Sequence, residues 1–383
     1  MKIFNLLVRL LSSLGLSAIL LILLGLLTWL GTLEQVEHGL FDVQKKYFES
    51  FFLVHDSGLV PIPLPGANLV LCILGLNLLV GGMLRLRLGK ATAGVFIVHV
   101  GIALLLLSGV VKMYFSQDGA VTLFEGEAND HFTSYYKYEL VISEDAGDGM
   151  LRQTVVPQED FQAAAEGTVT LTSSELPFTL ELTNLIRNCQ PMPKGPMFDV
   201  EVPVVDDVFL KELPKEKEAE RNISGMYVAA LAGGVRQEGI LYGFQRAPWT
   251  FRVGERRFAI GFRKERYAMP FTIRLKKFTK EDHARMSMAS SFSSDVIVTE
   301  DGSSRDVHIR MNEPLRDEGL VVYQASWGPS NARPGDPLFS TLAVVRNPAD
   351  QYPLYSCIVI GVGLVLHFGR KLIRYIKIEA KKS

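Results

Sequence analysis

The sequence predicts a membrane protein of four transmembrane α-helices plus a large extracytoplasmic domain that is antiparallel and β-rich. Three observations predict it. The 383 residues are 48% hydrophobic and 21% charged, too apolar for a disordered chain and unusual for a purely soluble one. The apolar residues are concentrated in four runs near the two ends, each long enough or nearly so to cross about 30 Å of hydrocarbon at about 1.5 Å per residue. The stretch between the third and fourth runs consists of short β-rich segments separated by turn residues.

The first run, Leu10 to Leu33, follows Lys2 and Arg9 but is too long for a secretory signal and has no clear small-residue cleavage site. The second, Ala67 to Leu86, stops at Arg85, Arg87 and Lys90, and the third, Ala91 to Phe115, starts directly after them, so the pair reads as a tight helical hairpin. The fourth, Tyr352 to Phe368, is the shortest and leads into the basic tail Arg370, Lys371, Arg374, Lys377, Lys381 and Lys382. With four spans, every basic cluster falls on one side, which predicts cytoplasmic termini and places most of the chain outside. The expected organisation is a membrane region at 1–115, an extracytoplasmic β-rich domain at 116–351, and a final span with its cytoplasmic tail at 352–383.

Between the first two spans, 34–66 carries Phe41, Tyr47, Phe48, Phe51 and Phe52 interleaved with Asp42, Lys45, Lys46 and Glu49. That pattern predicts an amphipathic helix at the membrane surface, which could also act as a lid over an apolar ligand. In the large segment, alternation is clear in FTIRLKKF and LVVYQA, and strands of about five residues at this spacing suggest an antiparallel sandwich or open barrel. The best loop candidates are Asn188 to Pro196 and the charged Lys211 to Asn222.

Composition excludes several classes. A net charge of −1 offers no basic field for nucleic acid. The three cysteines, Cys72, Cys189 and Cys357, form no C-x-x-C, and a buried structural role is expected for Cys189. There is no H-E-x-x-H, G-x-S-x-G or P-loop. Seven histidines remain, His38, His55, His99, His131, His283, His308 and His367. Only His99 sits well inside a span, where an ionisable group is costly unless neutral, paired or liganded. Neutral imidazole is also the usual proximal ligand of haem iron. Gly94, Gly101 and Ser108 recur at seven-residue intervals and form a small-residue face, from which His99 is rotated by about 140° at about 100° per residue. A histidine packed between helices explains His99 equally well. His367, at the end of the fourth span, is expected to be interfacial, and the histidines outside the spans to lie at the surface or in turns.

The chain resembles the ResB (CcsB) family of System II cytochrome c maturation. The likeness is carried by TWLGTLEQ with YFESFFLV, NLLVGGMLRLR with FIVHVGIALLLLSG, the strand DGAVTLFEGE, and HIRMNEPLRDEGLVVYQASWG. In the last of these the motif positions are Asn312, Pro314, Leu315, Gly319, Tyr323, Gln324 and Ser326. The middle, 130–269, does not align with the family. The resemblance implies a protein of the bacterial inner membrane that works with a CcsA-type polytopic partner to export or hold haem and present it to apocytochrome c. By position, His99 would be the transmembrane ligand of a haem b shared with that partner. The tryptophan-rich, haem-presenting motif of the partner family is not expected here, since Trp29, Trp249 and Trp327 are widely separated. On this reading the chain has no catalytic residues and is at most one subunit of a cytochrome c haem lyase. The alternative is a non-catalytic membrane scaffold whose outer β-domain binds a protein partner without handling haem.

Overall fold

The computed structural model describes residues 2–382 apart from 57, 59, 146–150, 196–200, 283–288, 330–332, 334 and 335, so His283 lies outside the described residues. The chain divides into two compact units, one of residues 1–116 with 347–383 and one of residues 117–346.

The first unit is helical. It comprises α1 (Lys2–Leu11), α2 (Leu14–His38), α3 (Leu40–Val43), α4 (Ala67–Asn77), α5 (Ala93–Phe115) and α6 (Tyr352–Glu379). The helical path continues beyond α3 in wide π-type turns over Gln44–Phe48, and beyond α4 over Leu78–Leu84. The stretches Leu14–His38, Ala67–Leu84, Ala93–Phe115 and Tyr352–Glu379 are long and apolar enough to cross a membrane. The first therefore starts at Leu14, not Leu10, because the helix breaks at Ser12 and Ser13. The buried Asn77 amide donates to the carbonyls of Leu11 (2.7 Å) and Ser13 (3.1 Å) on either side of the break, and its own oxygen accepts from Ser17 Oγ at 2.6 Å. An amide in an apolar bundle is tolerable when its hydrogen-bonding capacity is used in this way.

The expected small-residue face is a helix seam. Gly94, Gly101 and Ser108 are the buried residues of α5. A Cβ added at Gly94 would lie 2.7 Å from both Gly363 O and His367 N, and one at Gly101 would lie 2.6 Å from Ile360 Cγ1. Glycine lets the α5 and α6 backbones approach to a distance that any side chain would prevent. All three basic clusters gather at one end of this unit, for Arg85 donates to Ser12 Oγ at 2.7 Å and Arg370 donates to the Lys90 carbonyl.

The segment 34–66 departs from the surface helix expected of it. Beyond the end of α2 at His38 the helical part is confined to α3 and its π turns, and Phe52 belongs to an antiparallel hairpin of β1 (Phe52–Asp56) with β2 (Pro61–Pro65). Tyr47, expected at a membrane surface, is wholly buried in a cluster with Leu27, Val43, Leu53 and Val70.

The second unit is antiparallel throughout. Its strands in chain order are β3 (Gln117–Phe124), β4 (Ala128–Asp145), β5 (Leu151–Pro157), β6 (Thr168–Leu171), β7 (Thr179–Ile186), β8 (Cys189–Pro193), β9 (Val208–Glu212) and β10 (Gly225–Ala232). They continue as β11 (Val235–Tyr242), β12 (Trp249–Val253), β13 (Arg256–Asp282), β14 (Ala289–Glu300), β15 (Ser303–Arg310), β16 (Leu315–Asp317), β17 (Leu320–Gly328) and β18 (Phe339–Arg346). One sheet runs β15-β14-β13-β4-β3-β18-β17-β16, with β5 on β4 and β12 on β13, and a second runs β11-β10-β7-β6.

The long strands β4 and β13 serve two separate cores. Near Arg256 and Tyr138 they pack with the second sheet around Leu140, Phe258, Ile260, Leu182 and Met226. Beyond the register shifts at Lys264/Arg266 and Ala268/Ile273 they line a core with Phe132, Ile273, Leu275, Val296 and Val322. In β4 the shift is a bulge at Ser134, whose hydroxyl accepts the Tyr136 and Lys137 amides (3.3 and 3.1 Å). Alternation within each half of a strand then aims one face at its own core.

The loop expected at Asn188 to Pro196 contains a strand. β8 pairs with β9, with Pro191 opposite Leu210 and Pro193 opposite Val208. Proline, read as a turn signal, is tolerated here because a two-stranded ribbon has free edges that need no N–H. Within the charged Lys211 to Asn222, Lys211 and Glu212 finish β9, and the only helical turn among the described residues is Ala219–Arg221.

Candidate functional site

His99 lies on α5 away from the α6 seam and faces the π-type turns that extend α4. A Cβ on Gly82 would meet His99 Cγ at 3.1 Å and Nδ1 at 3.2 Å, so the ring rests directly on the Gly82 backbone. Nδ1 is buried and has no hydrogen-bond partner. Because Nδ1 is buried, an approaching iron would have to use Nε2, leaving the Nδ1 proton without an acceptor. A neutral imidazole held against backbone between apolar helices fits an axial haem ligand. It departs from the usual arrangement only in lacking a group to receive the other N–H. Isolated π turns are frequent at functional positions, and here they bring the Gly82 backbone beneath the ring.

His367, expected to be interfacial, is half-buried. Its backbone N packs against Gly94, and its Nδ1 is the other buried, unpartnered side-chain nitrogen among the described residues. His99 and His367 therefore share a chemical condition and sit on different sides of α5.

The resemblance motif lies in the other unit and proves to be structural. Asp317 pairs with Leu320 across a two-residue turn of Glu318 (φ 43°) and Gly319 (φ 74°). Two consecutive positive φ values are the signature of the tight hairpin turn that matches strand twist, and glycine adopts its second position without strain. Asn312 (φ 66°) turns the chain in the left-handed region ahead of Pro314 and the buried Leu315. Gln324 Oε1 accepts from Ser294 Oγ at 2.6 Å, Gln324 Nε2 donates to Ser340 Oγ at 2.9 Å, and both serines are fully buried. Tyr323 is exposed.

A cluster that sequence reasoning missed joins α2 to the β1–β2 hairpin. Lys46 Nζ is 2.6 Å from Glu34 Oε1, Tyr47 donates to Glu34 Oε2 at 2.6 Å, and Tyr47 OH is 2.5 Å from His55 Nδ1. Burial, reinforced by the Glu34 carboxylate, pushes the Tyr47 phenol well above its ordinary range. The available signal was a glutamate one turn from the end of an apolar run, followed by a lysine, tyrosine and histidine in the next connection.

Elsewhere, His131 and His308 pair with exposed carboxylates, Asp130 at 2.9 Å and Asp295 at 2.7 Å. Cys189 is buried, as expected, against Leu210 and Tyr227, and burial pushes its thiol up to about 12. The three close donors Glu300, Asp317 and Glu318 face solvent, and Asp317 is already engaged by Arg305.

The motif strands decide the comparison with known proteins. The model of the ResB-like family matches residues 242–336. No curated protein matches the chain. The matched stretch is about a quarter of the chain and includes β12, β13 and the motif through Gln324, so the similarity to that family is located in the β unit. It also covers 242–269, so the last part of the middle, which was not expected to align with the family, does match its model.

Proposed function

We propose that this chain is a membrane subunit of cytochrome c maturation that, with a CcsA-type partner, holds or exports haem b and presents it to apocytochrome c. The match of residues 242–336 to the ResB-like family carries the reading. It is supported by the four candidate spans and by the convergence of the basic clusters at one end of the helical unit. The positive-inside tendency then puts both termini in the cytoplasm and the β unit outside the bacterial inner membrane.

The haem itself supplies the vinyl groups that thiols attack. The chain's own part is binding and orientation: His99 offers Nε2 from a ring fixed by Gly82, and the surrounding apolar helices exclude water. No acid–base pair or nucleophile is asked of it. The chain is thus at most one subunit of a System II haem lyase.

The test is reconstitution in bacteria lacking their own maturation system, with this chain and a CcsA-type partner expressed together and apart. The expected result is covalent haem on a reporter cytochrome c only when both are present, with about tenfold or greater loss in His99→Ala. Full maturation without this chain would contradict the reading. A second reading is favoured by one observation, the flush packing of His99 on Gly82, which a purely structural histidine would also show. In that case the chain is a scaffold, and His99→Ala changes stability without changing maturation per folded complex.

A further inference from the structure

We infer that His55 is a second ligand position for haem iron, presented through Nε2 by a hydrogen-bonded chain from Glu34 through Tyr47, near the His38 end of α2. This rests on the reading of the chain as a haem-handling subunit and assigns it a station distinct from His99.

Proton accounting fixes the tautomer. Lys46 pairs with Glu34 at 2.6 Å, so the carboxylate is ionised and can only accept. The single proton of the Tyr47 hydroxyl goes to Glu34 Oε2 at 2.6 Å. The phenol oxygen then has only lone pairs for His55 Nδ1, 2.5 Å away, and Nδ1 must carry the hydrogen. In the neutral ring the remaining lone pair is on Nε2. Among the described residues that nitrogen has no hydrogen bond and is not one of the buried unpartnered atoms, and the side chain is 19% exposed. Donation of one ring N–H to an anchored oxygen, with the other nitrogen left open, is the second-shell arrangement that orients metal-ligating histidines.

The chain is rigid where comparable ones are not. Tyr47 is wholly buried, its ring meets the His55 ring edge-on at 6.2 Å, and Leu53, two residues before His55 on the same face of the hairpin, is buried in the Tyr47 cluster. His131 and His308 lean instead on carboxylates that are 74% and 43% exposed.

The number of donors selects the ligand. A bare transition-metal ion needs three or four protein donors. Among the described residues the only such group of three is Glu300, Asp317 and Glu318, in the other unit. At His55 a single nitrogen is on offer, since both Glu34 oxygens are engaged. An iron porphyrin brings four nitrogens of its own and asks the protein for an axial one. Ile62, directly across the hairpin from His55 and 42% exposed, gives an apolar edge for the macrocycle. An open position of this kind suits hand-over better than storage.

The experiment is titration of hemin into the full-length chain, purified without a partner in mild detergent, followed by the Soret band and by the high-spin ferric EPR signal of a haem with one histidine ligand, against a detergent blank. His55→Ala is expected to weaken binding about tenfold or more. His55→Gln, whose amide still donates to Tyr47 but offers iron no nitrogen lone pair, should show the same loss with the melting curve unchanged. Tyr47→Phe should weaken binding by a smaller factor, and His38→Ala should match wild type. A wild-type titration in His55→Gln overturns the inference, as does a wild-type chain that takes up no more hemin than the blank. If either occurs while the co-expressed complex still matures cytochrome c through His99, only the His55 station falls. Hemin binding at His55 with no maturation by any complex would instead remove the subunit reading.

Discussion

The two units use buried polar groups in opposite ways. In the β unit the Gln324, Ser294 and Ser340 network is closed, its partners supplied by β14, β17 and β18, and the motif that carries the family likeness is occupied with turning and pinning the chain. In the helical unit His99 and His367 each keep a buried nitrogen without a partner, and His55 is oriented with one nitrogen left over. Buried polar groups are ordinarily satisfied, so the unfilled ones are where chemistry is to be sought. The residues by which such a chain is recognised are therefore not the residues by which it would act.

Four substitutions or probes break or sharpen that contrast. The largest effect is expected at Cys189. With its thiol pushed up to about 12, only about one molecule in ten thousand is thiolate at pH 8, and alkylation in a Cys72→Ser, Cys357→Ser background should be on the order of a thousandfold slower than for a free thiol. Mass spectrometry should show full labelling only after denaturation. Rapid native labelling would mean that the β unit is not closed at this core.

Next is the seam. Gly94→Leu places a side chain where Gly363 O and His367 N already stand at 2.7 Å from the Cβ, and both are backbone atoms that cannot step aside. A loss of about 3 kcal/mol is expected, read as a lower melting temperature in detergent. Gln324→Ala should cost about 1–2 kcal/mol by stripping partners from the buried serines. It should leave haem retention per folded molecule unchanged, and a selective loss of haem would erase the contrast between the units. Gly319→Val is the mildest, at about 1 kcal/mol for a β-branched residue at φ 74°, seen as a small shift in the denaturation midpoint.

The sequence reveals most where physics is local. Length and apolarity mark the four candidate spans, the Gly94, Gly101 and Ser108 repeat marks the seam, and alternation marks β13 and β17. It conceals what depends on tertiary closure. Glu34, Tyr47 and His55 are 13 and 8 residues apart along the chain and meet because the hairpin folds back on α2. β8 hides behind its prolines, and β4 and β13 look like ordinary strand patterns although bulges divide each between two cores. His99 was legible as a polar residue in an apolar run. Its bed on Gly82 was not, because the π turns that deliver Gly82 leave no clear mark in an all-apolar helix.

The most direct test of haem handling is a visible spectrum with pyridine haemochrome quantification on the complex of this chain and a CcsA-type partner, comparing wild type with His99→Ala. The account predicts haem in the wild-type complex, and its loss or its dependence on added imidazole in the variant. An intact complex that carries the same haem in both, or none in either, would contradict it.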